Sequence, residues 1–173
     1  RYEDFMLNKS NVGSFNYDDT VAYSFGHGLS YTTFEYSDFK MTENAKNKSF
    51  DIEVKVTNTG NVAGRETVQI YGQKPYIEGG LEKASVELMG FAKTKELKKD
   101  ESEKVKISVK KEQFKSYDNV TNKTYILDAG DYYLTAGRSA HDAVNNILSK
   151  KGKSVGNDKL VTVAFHQNEL DKT

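Results

Sequence analysis

The fold is decided by the stretch Phe50-Asp51-Ile52-Glu53-Val54-Lys55-Val56-Thr57. Its apolar and polar residues alternate, and because successive side chains of a strand point to opposite faces of a sheet, the apolar ones share one face. The stretch therefore predicts a half-buried β-strand. The turn formers Asn58-Thr59-Gly60-Asn61 follow it, so we expect the chain to reverse and return as a strand from about Arg65 to Tyr71.

Further short strands are predicted on both sides of this pair. One includes Phe34 and Tyr36, another is Val105 to Val109, and Val86 to Leu97 forms either a strand pair or one bent strand. The last two, Tyr125–Leu127 and Tyr132–Ala136, are predicted to form a hairpin around the turn Asp128-Ala129-Gly130-Asp131. About seven short strands with frequent turn signals indicate an all-β fold, a β-sandwich.

Lysines alternate with the apolar residues of one predicted strand, at Lys104, Lys106 and Lys110. A row of lysines is typical of the solvated edge of a sheet, where it discourages pairing with another chain. We favour this interpretation over a binding stripe.

The flanks of the sandwich differ from its body. Residues 1–30 are rich in aromatic, glycine and asparagine residues without a regular period, which predicts an irregular N-terminal arm or linker from a preceding domain. Residues 31–138 are the predicted sandwich. Residues 139–173 are predicted as a short helix, capped by Ser139 and ended by Gly152, and a linker toward a following domain. Leu160 to Phe165 is either a last strand or the start of that domain.

Composition excludes several classes of protein. The 173 residues carry 25 basic and 25 acidic side chains and no cysteine, so we expect neither nucleic acid nor a membrane as a partner and no disulfide. The start of the chain lacks the pattern of a signal peptide, and we expect a soluble protein, cytoplasmic in preference to secreted. The chain opens on Arg1, from which we expect a piece of a longer protein.

No catalytic, cofactor-binding or metal-binding residue is predicted. There is no Gly-x-Ser-x-Gly motif, and Gly26-His27-Gly28 does not continue into a phosphate-binding pattern because Tyr31 stands where the third glycine belongs. We interpret His27 as a structural residue. The 11 tyrosines can either form the core and interfaces or offer a sugar-stacking platform, and the absence of Trp favours the first.

One segment is more specific than these patterns: Ala22-Tyr23-Ser24-Phe25-Gly26-His27-Gly28-Leu29-Ser30-Tyr31-Thr32-Thr33-Phe34. It closely resembles the start of the fibronectin type III-like domain of glycoside hydrolase family 3, with Ser24 in place of the usual proline. Further similar segments follow in the same order, namely Val56–Gly60, Val68–Tyr71, Glu87–Phe91, Lys111–Tyr117 and Ala129–Tyr132. Residues 1–4 and 140–148 resemble a bacterial subgroup.

The resemblance implies an immunoglobulin-like or fibronectin type III-like sandwich in a β-glucosidase-like parent enzyme. Such an enzyme removes terminal β-linked sugars with retention through two carboxyl groups, which in the family lie on a catalytic barrel and an α/β sandwich. The resemblance thus implies no enzymatic activity for this chain alone, and those two domains as its partners. The family's β-glucosidases, xylosidases and N-acetylglucosaminidases leave the sugar undetermined.

Three roles remain open at this point. The first is a structural accessory domain, in which Tyr23, Phe25, His27 and Tyr31 pack between domains. The second is a carbohydrate-binding module that holds polysaccharide through an exposed tyrosine such as Tyr132 or Tyr133. The third is a plain immunoglobulin-like spacer, against which the Gly28-Leu29-Ser30-Tyr31-Thr32 start and the predicted helix argue.

Overall fold

A computed structural model describes residues 21–153 and 156–172. Within them the chain forms ten strands, one α-helix and two short 3-10 helices, Lys111–Phe114 and Asp158–Leu160. In chain order the regular elements are β1 Phe34–Asn44, β2 Ser49–Asn58, β3 Thr67–Gln73, β4 Glu87–Lys93, β5 Ser102–Lys110, β6 Ser116–Asp118, β7 Thr124–Leu127, β8 Gly130–Gly137, α1 Ala140–Lys150, β9 Val161–Gln167 and β10 Asp171–Lys172.

Seven of these strands form two facing antiparallel sheets. The three-stranded sheet has the order β1-β2-β5, and the four-stranded sheet has the order β4-β3-β8-β9. The short strands β10, β7 and β6 form a separate end sheet. The expected all-β sandwich with one short helix near the C-terminus is confirmed.

The core lies between the two larger sheets. β2 is the central strand of its sheet, and it carries the alternation that predicted it: from Phe50 to Thr57 the apolar side chains are almost completely buried, whereas the polar ones between them are not. Complete burial of one such side chain contributes about 1.5–3 kcal/mol. The inward side chains of the two sheets include Phe50, Ile52, Val54, Val56, Val105, Ile107, Val109, Val68, Ile70, Leu134 and Ala136.

Four aromatic rings pack together in one part of this core. Tyr132 stacks on Phe165 with ring centroids 4.3 Å apart, and Phe165 stacks on Phe50 at 5.7 Å. Phe114, from the first 3-10 helix, meets all three rings edge to face. Tyr132 is only 1% exposed, and its hydroxyl donates to the Asp128 carbonyl at 3.0 Å.

The predicted terminal hairpin is wrong. β7 pairs with β6 and β10, whereas β8 pairs with β3 and β9, so the turn between them carries the chain from one sheet to another. Gly130 has a φ of +131°, and a Cβ there would lie 2.8 Å from Pro75. Because a hairpin turn and a change of sheet use the same turn residues, the local sequence does not separate them.

The lysine-rich strand is an edge strand, as predicted. β5 lies at one side of the three-stranded sheet, and Lys104 and Lys106 are exposed on its solvent face. Lys104 pairs with Glu53 on β2 at 2.9 Å. The segment from Val86 to Leu97 forms the single strand β4, after which Leu97 bridges back to Gly64.

Helix α1 packs on the outer face of the four-stranded sheet. The Ser139 hydroxyl accepts a hydrogen bond from the Asp142 amide, which is the predicted cap. The apolar side of the helix contacts the outward residues Tyr71 and Val161. Of the two alternatives for Leu160–Phe165, the structure shows a last strand, since β9 pairs with β8. The division into domains at residues 30 and 138 stays a prediction.

Candidate functional site

Residues 21–33 cross the outer face of the four-stranded sheet as an irregular segment, which we call the arm. Its C-terminal end is fixed to the turn after β2. The Thr33 carbonyl accepts from the amides of Thr59 at 2.8 Å and Gly60 at 3.2 Å, and the Thr32 hydroxyl donates to the buried Asn58 side chain at 2.7 Å. The predicted arm residues 1–20 lie outside the described part of the chain.

The middle of the arm is held by β3 and by helix α1. Gln69 donates from Nε2 to the Gly26 carbonyl at 2.9 Å, and the Ala140 amide donates to the Phe25 carbonyl at 2.8 Å. Ala140 is the first residue of α1, whose amide has no partner within the helix. The arm therefore caps the helix and is fixed by the sheet.

Gly26 allows the arm to lie close to β3. Its φ of +82° lies in the left-handed region, which glycine adopts without strain. A Cβ at this position would lie 2.2 Å from Gln69 Oε1 and 2.4 Å from the Tyr71 hydroxyl. The glycine is thus required by both the backbone angle and the available space.

The large apolar side chains of the arm, by contrast, point into solvent. Tyr23 is 71% exposed, Phe25 64%, Leu29 90% and Tyr31 99%. The Tyr23 and His27 rings contact one another with centroids 4.9 Å apart. The four predicted site residues thus lie on one segment, and the described part of the chain leaves the rings of Tyr23, Phe25 and Tyr31 largely exposed. Their packing between domains stays a prediction.

A groove of about 520 Å³ lies between the arm and the strands beside it. Leu29 and Gln69 line it together with three cationic side chains, Arg65, Lys93 and Arg138, and one carboxylate, Glu66. None of these charged residues was singled out from the sequence. The sequence does place Gln69 on the outward face, between the buried Val68 and Ile70. It does not show that the arm lies over Gln69, because Gly26 is 43 residues away in the chain.

Glu66 interacts with two neighbouring side chains. Its Oε1 accepts from the Tyr36 hydroxyl at 2.8 Å and lies 3.5 Å from Arg138 Nε. The Arg138 guanidinium also covers the Tyr36 ring at 5.2 Å and donates to the Phe34 carbonyl. Burial, followed by the nearby Glu66 charge, raises the pKa of Tyr36. Tyr36 is therefore a neutral hydrogen-bond donor at all physiological pH values.

The tyrosines proposed as a sugar platform are differently placed. Tyr132 is buried in the aromatic cluster, so its use as an exposed platform is wrong. Tyr133 is partly buried on the outer face, and Lys151 Nζ lies 4.7 Å above its ring. A pair that the sequence did not single out is more exposed: the Tyr117 and Tyr125 rings meet edge to face at 5.3 Å on the end sheet.

Within residues 21–153 and 156–172, no group of three or more His, Asp or Glu side chains is arranged to hold a metal ion. In the same part of the chain, no helix is both long and apolar enough to cross a membrane. An exposed His166–Asp131 pair, with Nδ1 2.6 Å from Oδ1, joins β9 to β8.

Tyr132 forms a tyrosine corner, a contact typical of immunoglobulin-like sandwiches. In immunoglobulin-like sandwiches a tyrosine hydroxyl bonds back to the backbone a few residues upstream, as Tyr132 does to Asp128. Residues 66–140 match the family model of the fibronectin type III-like domain. This part of the chain belongs to that family. Helix α1, except for Ala140, and β9 lie C-terminal to the matched residues, and β9 pairs with β8 in the four-stranded sheet.

Relatives of this fibronectin type III-like domain are parts of longer proteins. The chain is 36% identical over 124 residues to thermostable β-glucosidase B of Acetivibrio thermocellus, covering 70% of this chain and 16% of that protein. It is 34% identical over 140 residues to β-glucosidase A of Butyrivibrio fibrisolvens, covering 72% of this chain and 17% of that protein. The chain thus spans 16–17% of the length of these two relatives.

A solved structure gives the same result. β-Glucosidase 3B from Thermotoga neapolitana, in complex with α-D-glucose, matches with a TM-score of 0.66 and 31% identity, over 88% of this chain and 18% of that one. The fibronectin type III-like domain described above is therefore similar to one segment of a much longer glycoside hydrolase.

Proposed function

We propose that this chain is a non-catalytic structural accessory domain of a longer glycoside hydrolase of family 3, and that its arm packs against a neighbouring domain of that chain. The parent reaction is the retaining hydrolysis of terminal non-reducing β-linked sugars, carried out by carboxyl groups outside these residues. The relatives support this proposal, because the segments that match this chain are less than a fifth of their length.

The observation that carries the proposal is the contrast between the backbone and the side chains of the arm. Hydrogen bonds fix its backbone to the turn after β2, to β3 and to α1, while Tyr23, Phe25, Leu29 and Tyr31 stay exposed. Exposed apolar side chains grouped on one segment mark an interaction surface. Because the segment is already ordered, a partner can bury these rings without a further loss of backbone entropy.

The test compares two exposed aromatic residues in the longer chain. Phe25→Ala should lower the free energy of unfolding by roughly 3–5 kcal/mol if the ring is fully packed there, as measured by chemical denaturation. Tyr76→Ala is the control, because Tyr76 is also exposed but lies on the loop between β3 and β4. Equal and negligible effects of the two changes would contradict the proposal.

A second candidate function is that of a carbohydrate-binding module, which one observation favours. Tyr117 and Tyr125 are both about half exposed and form a paired aromatic surface on the end sheet. Aromatic faces are suited to the apolar faces of sugar rings. In affinity electrophoresis on β-glucan this role predicts retention that is lost in the Tyr117→Ala/Tyr125→Ala variant. Unretarded migration of the unchanged protein excludes it.

A further inference from the structure

The groove beside the arm carries positive charge that its own residues do not neutralise. Arg65 and Lys93 are both exposed, and neither forms an ion pair within the described residues. Among the residues that the structure describes, Glu66 is the one carboxylate that lines the groove. Since the whole chain has a formal charge of zero, this local excess of cations is a property of the groove.

Glu66 is not available to pair with Arg65 or Lys93. Its side chain is 13% exposed, and its Oε1 is occupied by the Tyr36 hydroxyl and by Arg138. Moving it toward the two cations would leave the buried Tyr36 hydroxyl without its acceptor at 2.8 Å, which is costly. The groove thus has an internal structural pair, Arg138 with Glu66, and two cations directed to solvent.

Two exposed apolar side chains lie on the same face as these cations. Leu29 lines the groove. Phe91 on β4 is opposite Gln69 on β3 in the strand register, and Gln69 in turn holds Gly26, so Phe91 lies on the same face as the arm. Phe91 is 68% exposed. Exposed aromatic and arginine side chains around one depression are the composition of a protein–protein interface.

We infer that this groove receives a carboxylate-bearing surface segment of a neighbouring domain in the longer chain, and that Arg65 and Lys93 pair with its carboxylates. The inference rests on the proposed function and names the chemistry of its partner. A free anion would pair with the cations but leave Leu29 and Phe91 exposed. An acidic protein segment would pair with the cations and also cover these two apolar side chains. Charge complementarity of this kind fixes the register of two docked domains.

The first experiment is cross-linking of the longer chain with a water-soluble carbodiimide, which joins a lysine amine to a carboxylate in direct contact with loss of one water molecule. Peptide mass spectrometry should find Lys93 linked to an Asp or Glu outside these 173 residues. Lys46, an exposed lysine in the turn between β1 and β2, is the control and should not give that link. The inference is overturned if Lys93 is unlinked, or linked within these residues, or linked only between two copies of the chain.

The second experiment is charge reversal. Arg65→Glu/Lys93→Glu should lower the melting temperature of the longer chain by at least about 2 °C at low salt, with Lys46→Glu as the matched control. At 1 M NaCl, where the Debye length is about 3 Å, the difference from the unchanged protein should shrink by more than half. An equal loss at both salt concentrations contradicts the inference.

The two proposals fail in different ways. If Phe25→Ala destabilises the longer chain but the charge reversal and the cross-link give nothing, the arm packs on a neighbouring domain and the acidic partner is wrong. If Phe25→Ala has no effect either, the structural role itself is wrong.

Discussion

Gln69 on β3 holds the Gly26 carbonyl at 2.9 Å and, through its Oε1, accepts a hydrogen bond from the Tyr71 hydroxyl at 2.6 Å. The same Nε2 also donates to the Arg138 carbonyl at 2.9 Å. One side chain on the outer face of the sheet thus connects the arm, β3 and the segment that leads into α1. This arrangement explains why an irregular segment has a defined position on the domain.

Gly26→Ala should destabilise the domain. The added Cβ would meet Gln69 and Tyr71 at less than 2.5 Å, and alanine is strained at a φ of +82°. We expect a loss of about 2 kcal/mol in the free energy of unfolding, measured by urea denaturation. Gly28→Ala is the control, because a Cβ at Gly28 has nothing within 4 Å. Equal stability of the two variants would show that the arm is not held as described.

Asn146→Ala should be destabilising, although alanine has a higher helix propensity than asparagine. The buried side chain donates to Thr135 Oγ1 at 3.2 Å and to the Ala136 carbonyl at 3.0 Å, and it accepts from the Asn157 amide at 2.8 Å. Its removal takes one hydrogen bond from each of these groups and leaves the Asn157 amide without its acceptor, at a cost of about 1–3 kcal/mol.

The neighbouring variant Asn145→Ala is the matched control for Asn146→Ala. It makes the same gain in helix propensity, but the Asn145 side chain holds none of these groups. We expect its free energy of unfolding to stay within about 0.5 kcal/mol of the unchanged protein. A loss as large as that of Asn146→Ala would contradict the special role of Asn146.

Tyr132→Phe tests the tyrosine corner. The change keeps the ring that stacks on Phe165 but removes the hydroxyl that donates to the Asp128 carbonyl. Thermal unfolding should show a loss of about 1 kcal/mol. Tyr125→Phe, at an exposed tyrosine of the end sheet, should change stability by less than about 0.5 kcal/mol. A neutral Tyr132→Phe variant would mean that this hydrogen bond does not stabilise the change of sheet.

Asp118 should make the domain sensitive to acid. Its carboxylate accepts from the Thr121, Val120 and Asn122 amides and from the Asn122 side chain. These hydrogen bonds, that of Thr121 first, lower the pKa of Asp118 from 3.8 to about 2. Because the folded-state pKa is the lower one, the ionised carboxylate stabilises the fold above about pH 4, and this contribution is lost as the pH falls toward 2.

The measurement is the urea midpoint of the Asp118→Ala variant against pH. The variant should be less stable than the unchanged protein at pH 7, and the gap should narrow between about pH 4 and pH 2. Glu169→Ala, at an exposed carboxylate that accepts no hydrogen bond from the described residues, should show a small gap throughout. A gap for Asp118→Ala that stays constant down to pH 2 is the contrary result.

Strands with one buried face were predictable from the sequence. From Phe50 onward in β2 and from Val105 onward in β5 every second residue is buried, so local alternation was enough to find them. The hairpin of β7 and β8 failed because pairing partners lie far apart: β7 pairs with Asp171–Lys172, and β8 pairs with β3 and β9. Turn residues indicate that the chain changes direction, but long-range packing decides which sheet the next strand joins.

The candidate site was predictable only where its residues are consecutive. Tyr23, Phe25, His27 and Tyr31 lie on one segment, and their aromatic character was sufficient to select them. Lys93 and Arg138 line the groove beside this segment, where the register of β4, β3 and β8 places them. Tyr132 and Tyr133 are adjacent, yet one is in the core and the other is partly exposed, because neighbouring residues of a strand point to opposite faces.

The attachment of the arm also decides how the domain responds to mechanical force. A pull on the chain ahead of Val21 reaches the turn after β2 through Thr33, β3 through Gly26 and the first turn of α1 through Phe25. Because the attachments follow one another along the segment, such a pull loads Phe25 and Gly26 before it loads Thr33. Separating residues 25–33 from the rest of the described chain by force therefore requires hydrogen bonds to break at three places, on two sheets and at one helix.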